Sequence, residues 1–522
     1  MKKNLIIILI TAMSLLSCHK VLDQYPADYM SPEQYYNTET QLNYALNGVY
    51  ATLGSGALYG NNMLGAMGLD ADEGFDMYSG DDATVGDYNV VTADVKILSY
   101  WKALYTGIDR ANRLLQNINK PTMGETERNT IKGEALFLRA YYYFMLVSRF
   151  GDVPLVLHTI ESPTVENLQI PRTPAKEVYN KILTDMEEAS LLVKDINTLP
   201  GGGRISKSAV WGIMARVCLY MAGNPINETS KYAEAKKWAG KVIELNFHQL
   251  NPSYSQIFIN YAKDLYDTKE SIWEVEFWGN GTGLYTTGMV GRNNGIGSTN
   301  DPLIGYATGQ IRTSRWYYLL FTTGDLRRDW SVAPFYYSGN PGKEVTWSGT
   351  QIYQRFCGKF RRVYEVVTPR EGGRTPQNFP LLRYADVLLM YAEADLMANS
   401  DPTEEIHEYL NRVRRRARGL DPLAPSATVD LKNLDAAALL NEIKDERSRE
   451  LGYEMLRKGD LIRWGEFFDN MKAIVADVAG KANDYEIGAY KYFNNAKARD
   501  VLWPIPYYEM SVNKKLVQNP GW

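Results

Sequence analysis

With 522 residues and a mass of 59.2 kDa, the chain is longer than a single hydrophobic core usually grows, so it must divide into lobes or build an extended core from stacked helices. Hydrophobic residues make up 45% and charged residues 23% of it, with a mean hydropathy of -0.34, which excludes a protein of several membrane helices. A formal charge of -4 and a pI near 5.8 give no reason to expect nucleic acid, whose binding needs a concentrated basic face, so no nucleic-acid partner is expected.

The first element is a leader. Lys2 and Lys3 precede an apolar run, Leu5 to Leu16, that is too short to span a bilayer, and together they read as an export signal over residues 1–17. The run ends in Leu15-Leu16-Ser17-Cys18, which resembles a bacterial lipobox, so Cys18 is expected to be lipidated and to become the new N-terminus. Several acyl chains on one terminus exceed the two-signal requirement for stable anchoring. Removing the leader takes Lys2 and Lys3 with it and moves the formal charge to -6. Only Cys218 and Cys357 then remain, 139 positions apart. Two such cysteines form neither a disulfide framework nor a zinc site, although an oxidising compartment would permit one bridge, and no metal, cofactor or redox role is expected.

A loop-rich stretch follows over roughly 53–94. It carries Asp70, Asp72, Glu73, Asp76, Asp81, Asp82 and Asp87 beside Tyr78 and Tyr88. Such a cluster offers acceptors to sugar hydroxyls or ligands to calcium. It lacks the EF-hand glycine and distal Glu, so a solvated acidic loop is expected. From Lys132 to Ser148 the apolar residues Leu136, Ala140, Tyr143, Phe144 and Val147 fall on one helical face, and Ala209, Ile213, Val217 and Tyr220 do the same around Ser206 to Met221. Ala235, Trp238, Ala239 and Val242 mark the next helix. Its sequence KYAEAKKWAGKVIELN, Lys231 to Asn246, resembles the second helix of a tetratricopeptide repeat, in which small residues let neighbouring helices approach closely.

Between Ile257 and Pro380 the character changes. SIWEVEF, Ser271 to Phe277, alternates as a short strand does and gives way to a Gly/Asn-rich stretch reaching Gly297. Trp273, Trp278, Trp316, Trp330 and Trp347 fall here with many tyrosines, and the chain as a whole has 37 Tyr against 15 Phe. Irregular chain rich in aromatics is where a rigid scaffold commonly displays a binding surface. Helical periodicity resumes with Ala385, Leu388, Leu389, Ala392 and Leu396, then His407 to Arg418 and Leu434 to Leu451. The expected architecture is mainly α: a tetratricopeptide-like helical-repeat scaffold over roughly 95–256 and 380–470, within a body of residues 18–522. Loop-rich, partly β ligand-binding regions occupy roughly 53–94 and 257–379.

No HExxH, GxSxG or Walker loop occurs. GNGTG, Gly279 to Gly283, follows a strand as a dinucleotide fingerprint would, but Leu284 stands where the third glycine belongs and no helix pattern follows, so it reads as a loop. NRVRRRAR, Asn411 to Arg418, spreads its arginines around a helix and reads as a solvated helix end or a source of intramolecular ion pairs. Trp101, Trp211 and Trp238 lie in helical segments and are assigned to the core. A saccharide site joins flat rings, which pack on C–H faces, with planar polar groups for the hydroxyls. The loop residues that suit it are Tyr78, Tyr88, Trp278, Tyr285, Tyr306 and Trp347, with Arg292 and Asn294 as polar companions.

Five separated stretches are similar to the SusD/RagB family of nutrient-binding outer-membrane lipoproteins. They are Cys18 to Leu53; Trp101 to Pro154, with WKALYTGIDRANRLL and GEALFLRAYYYFMLVSRFGDVP; RISKSAVWGIMARVCLYMA, Arg204 to Ala222; FPLLRYADVLLMYAEADL, Phe379 to Leu396; and ERSRELGYEMLRKGDLIRWGEF, Glu446 to Phe467, with the closing LWPIPYYEMSVNKKLVQNPGW. The resemblance implies a SusD-like scaffold of about four helix pairs and a lipid anchor in the cell outer membrane, facing the exterior. It also implies a SusC-like TonB-dependent transporter as partner and an oligosaccharide or polysaccharide as ligand, captured without catalysis. One branch of the family handles peptides, which keeps peptide capture open. A surface glycoside hydrolase and a helical adaptor without a ligand of its own are the readings from other classes. The matching stretches are scaffold helices, so none of the candidate binding residues is carried over from the family.

Overall fold

The computed structural model describes residues 35–64, 71–77, 85–160, 164, 166–281, 287–299, 301–370 and 372–522. Helix α1, Glu39–Tyr50, starts in a capping box between Thr38 and Gln41. Asp94 caps α2, Val95–Asn117, by accepting from the amides of Lys96 and Ile97 at 2.8 and 3.2 Å, which satisfies donors that a helix start leaves open. Three helices are buried around nearly their whole circumference: α3, Glu125–Phe150, beyond Ile131; α5, Lys207–Ala222, capped by Ser206; and α11, Tyr384–Asn399. A helix apolar on all sides belongs in the middle of a stack. The amphipathic helices α4, Ala175–Leu192, and α6, Lys231–Glu244, flank them.

These helices pack in succession, α1 on α2, α2 on α3, α3 on α4, α4 on α5 and α5 on α6. The series then continues from α6 to α11, although more than a hundred residues separate them in the chain, and from α11 to α12, Glu404–Ala417, and α13, Ala436–Leu451. Stacked helix pairs of this kind make the tetratricopeptide-like scaffold expected from the sequence. Close approach rests on small residues: Gly212 of α5 lies against the Leu382 side chain, where a Cβ would fall 2.4 Å from Cδ2. Trp101 and Trp238 are core residues. Cys218 and Cys357 are both buried and free. Among the described residues, no helix is long and apolar enough to cross a membrane.

The segment between α6 and α11 holds α7, Tyr254–Lys263; α8, Val290–Asn293; α9, Arg315–Leu320; and α10, Leu326–Ser331. It also contributes to three two-stranded antiparallel sheets. Strand β1, Gly74–Asp76, pairs with β3, Ile311–Thr313; β2, Ser271–Val275, pairs with β6, Phe379–Arg383; and β4, Phe335–Ser338, forms a hairpin with β5, Lys343–Thr346. After α13 the chain ends in α14, Arg457–Trp464; α15, Phe467–Val478; α16, Asp484–Asn495; and α17, Tyr507–Val512.

A buried ionic network fastens this loop-rich segment to the scaffold. Arg383, at the end of β6, reaches Glu270 and Glu450 at 2.9 Å and Glu454 at 2.7 Å. Glu450 also binds Arg416 of α12 at 2.6 Å and Arg327 of α10 at 3.1 Å. Arg327 extends to Glu446 at 2.7 Å, and Lys359 closes on Glu454 at 2.7 Å. These side chains are nearly inaccessible to solvent, so each charge depends on its partners for the solvation it has lost. NRVRRRAR therefore supplies intramolecular ion pairs rather than a solvated end: Arg415 and Arg416 are 1% exposed.

The described part of the acidic stretch departs from expectation; Asp70, Asp81 and Asp82 lie outside the described residues. Asp72, Glu73, Asp76 and Asp87 are all buried, because Asp72 forms a bidentate pair with Arg457 of α14 at 2.8 and 2.7 Å and Glu73 accepts from the Tyr453 amide at 3.0 Å. They belong to the packing of β1 against the C-terminal helices, not to a solvated loop.

Candidate functional site

Beyond β2 and before β6 the chain continues as three loops held together by backbone-directed bonds. The Phe277 amide donates to Asn378 Oδ1 at 2.8 Å, Asn280 Nδ2 to the Pro369 carbonyl at 3.1 Å, and Gly288 and Thr375 exchange amide–carbonyl bonds at 3.0 and 3.1 Å. Thr308 donates through both its amide and its hydroxyl to the Arg292 carbonyl, each at 3.0 Å. Residues 277–281, 287–294, 306–308, 369–370 and 372–378 thereby become neighbours. Glycine is needed at Gly291, where a Cβ would stand 2.4 Å from Gln377 Nε2, and at Gly305, with φ +87° and Arg362 packed on it.

Four predicted residues, Trp278, Arg292, Asn294 and Tyr306, lie on these loops. Trp278 is 43% exposed, far more than a Trp that serves only as core. The Arg292 guanidinium lies 5.8 Å from the centre of the half-buried Tyr306 ring, within cation–π range. Arg362 fixes the Tyr306 backbone by donating to its carbonyl, and it also grips Glu365 at 3.1 Å. Burial pushes the Glu365 carboxyl up while Arg362 and the Gln377 amide pull it back.

Several polar groups in this region are buried without a protein partner. Asn294 is fully buried and neither its amide nitrogen nor its oxygen is bonded; the Thr375 hydroxyl, the Gln377 carbonyl oxygen and Arg292 Nε are in the same condition. Unengaged buried polar atoms are uncommon in folded proteins. Asn294, Thr375 and Gln377 have no solvent exposure and lie beneath the loop surface, whereas the Arg292 side chain is part-exposed. Thr375, Gln377 and Glu365 were not among the sequence candidates. The only signal for them was the position of GGRTPQN immediately ahead of a strand.

Other candidates sit elsewhere. Tyr88 is 3% exposed, packed 5.4 Å from Tyr492 and 6.0 Å from Phe467, so it is core and unavailable to a ligand. Trp347 packs 4.4 Å from Tyr336 and 6.0 Å from Phe356 beside the β4–β5 hairpin. Cys18, Tyr78 and Tyr285 lie outside the described residues. Among the described residues, no group of three or more His, Cys, Asp or Glu side chains is arranged to hold a metal ion.

Comparison with known proteins gives concordant matches. A model of the SusD family matches residues 334–522, and a second, described as starch-binding and associating with the outer membrane, matches residues 20–219. A SusD-like protein of Formosa agariphila is 26% identical over 99% of this chain and 98% of its own length. The starch-binding protein SusD of Bacteroides thetaiotaomicron is 23% identical over 77% of this chain and 75% of its own. The crystal structure of a SusD homolog from the same species superimposes with a TM-score of 0.86 at 27% identity, covering 94% of this chain and 98% of that one.

Proposed function

The chain belongs to the SusD/RagB family, and on that premise we propose that it is a non-catalytic, glycan-binding lipoprotein of the outer membrane. In this reading Cys18 carries the anchor, the body faces the exterior, and bound oligosaccharide passes to a SusC-like TonB-dependent transporter. The observation that carries the glycan reading is exposed Trp278 on the same set of loops as the part-exposed Arg292–Tyr306 pair. Rings take the C–H faces of a sugar while the guanidinium takes its hydroxyls. Tyr78 and Tyr285 remain candidates from the sequence.

Nothing in this arrangement calls for bond cleavage. Glu365 is committed to Arg362 and Gln377, and Glu274 to Ser271 and Asn378, whereas glycoside hydrolysis requires two carboxyls free to act on the bond. The test is affinity electrophoresis of the mature protein in gels containing amylopectin, laminarin, xylan, galactan or mannan. Trp278→Ala is expected to lower affinity for the retarding polysaccharide at least tenfold, in line with a stacking contact of about 1.5 kcal/mol. Equal mobility of variant and parent would remove Trp278 from the site, and steady release of reducing sugar from the polysaccharide would overturn the non-catalytic reading.

A further inference from the structure

We infer that an open cleft of about 360 Å³ between α9 and α15 is a second saccharide subsite, separate from the loop face; the inference rests on the glycan-binding reading. The cleft uses elements that contribute nothing to the loop face. Trp316 and Leu319 of α9, Tyr353, and Ile474 and Asp477 of α15 line it, with Arg315 at its edge.

The Trp316 ring is held in place from behind. The Arg457 guanidinium lies 4.8 Å from the ring centre, and Arg457 is itself fixed by its bidentate pair with buried Asp72. Leu319, 54% exposed, continues the apolar surface into solvent. Across from these, Arg315 Nη1 meets Asp477 Oδ1 at 3.2 Å, with both side chains partly exposed. Tyr353, buried beneath, donates its hydroxyl to Asp477 Oδ2 at 2.7 Å. Burial and that carboxylate hold the phenol protonated, so the bond keeps its direction.

An exposed Arg–Asp pair contributes little to stability, so this pair, oriented by a buried tyrosine and set beside an aromatic and aliphatic surface, is better explained by a ligand. The planar guanidinium and carboxylate present donors and acceptors side by side, which matches vicinal hydroxyls, while Trp316 and Leu319 match the C–H face of the same ring. Arg315 and Asp477 offset each other, and Lys481, 3.8 Å from Asp477, adds one positive charge, so the cleft accepts a neutral sugar without excluding an acidic one. Concave sites with apolar walls and a few placed polar groups are the usual form of small-ligand pockets.

Two subsites on one body would act together on a long chain and singly on a short one. The experiment compares the mature protein with Trp316→Ala, the more conservative Arg315→Ala and Trp278→Ala, using the same five polysaccharide gels. Arg315 is surface-exposed, so its loss leaves the fold intact even where Trp316→Ala unfolds. Both cleft variants are expected to lose three- to tenfold in affinity for the retarding polysaccharide and to keep parental affinity for a disaccharide of the same linkage in calorimetry. Parental retardation of Arg315→Ala together with weakened Trp278→Ala would overturn the cleft and leave the glycan reading standing. Failure of every polysaccharide to retard the parent would overturn both.

Discussion

Replacing Glu446 by Gln removes one charge from the network that joins α10, α12 and α13 while keeping the side chain's shape. The carboxyl is fully buried. Burial alone would push it up, but Arg327 at 2.7 Å, Arg449 at 3.0 Å and Arg414 at 3.5 Å draw it down to about 2. Its distance from the ordinary value of 4.5 corresponds to about 3 kcal/mol of stabilisation at neutral pH. Spread over a cooperatively melting chain of this length, at about 2.1 cal/mol/K per residue, that is a fall in Tm of roughly 3 °C. Because the folded value is depressed, the contribution is complete above pH 4.5 and disappears as pH falls through 2, so the two proteins should converge in acid. Scanning calorimetry at pH 7 and at several values between 4.5 and 2.5 measures this directly. Equal Tm values at pH 7, or a gap that persists undiminished at pH 2.5, would refute the assignment of the stabilisation to the ionised carboxylate.

The opposite sign is expected at Glu73. Burial raises its carboxyl to about 8, so the folded state holds the proton more tightly than the unfolded one and stability declines as pH rises from 4.5 through 8. Glu73→Gln should therefore match the parent near pH 4.5 and melt progressively higher than it up to pH 9; a constant difference would contradict this. At Asn294, where a buried amide has no partner, substitution by Leu removes a cost of about 1–3 kcal/mol, so Tm in scanning calorimetry should hold or rise. A loss of several degrees would mark the amide as structural instead. Cys18→Ser should move the exported protein from the membrane fraction to the soluble one, and unchanged membrane fractionation would count against the anchor.

The helices were legible because their apolar residues recur at helical spacing, as with Ala209, Ile213, Val217 and Tyr220 of α5. The ionic network was not. Arg416 and Glu450 are 34 residues apart and Arg457 and Asp72 are 385 apart, so local sequence shows only charges, and charges read as solvent-facing. The acidic run misled for the same reason. Among the site candidates, Trp278, Arg292 and Tyr306 could be picked out as aromatics or a cation on irregular chain. Tyr88 fits that description equally well and is core, because its burial comes from Phe467 and Tyr492 of the C-terminal helices. Nothing in the residue types distinguishes the two cases; only the distant partner does.

Since α6 packs directly on α11, the superhelix is continuous beneath the long excursion between them, and that excursion is a detour returning to its point of departure. The free-energy cost of lengthening such a detour grows only logarithmically with its length. Insertions or wholesale replacement there leave the helical register untouched so long as the anchoring charges on β6 and α10 are kept. The two family models stop at 219 and resume at 334, on either side of most of this detour. A scaffold wired in this way can exchange one surface segment for another while its helical frame stays as it is.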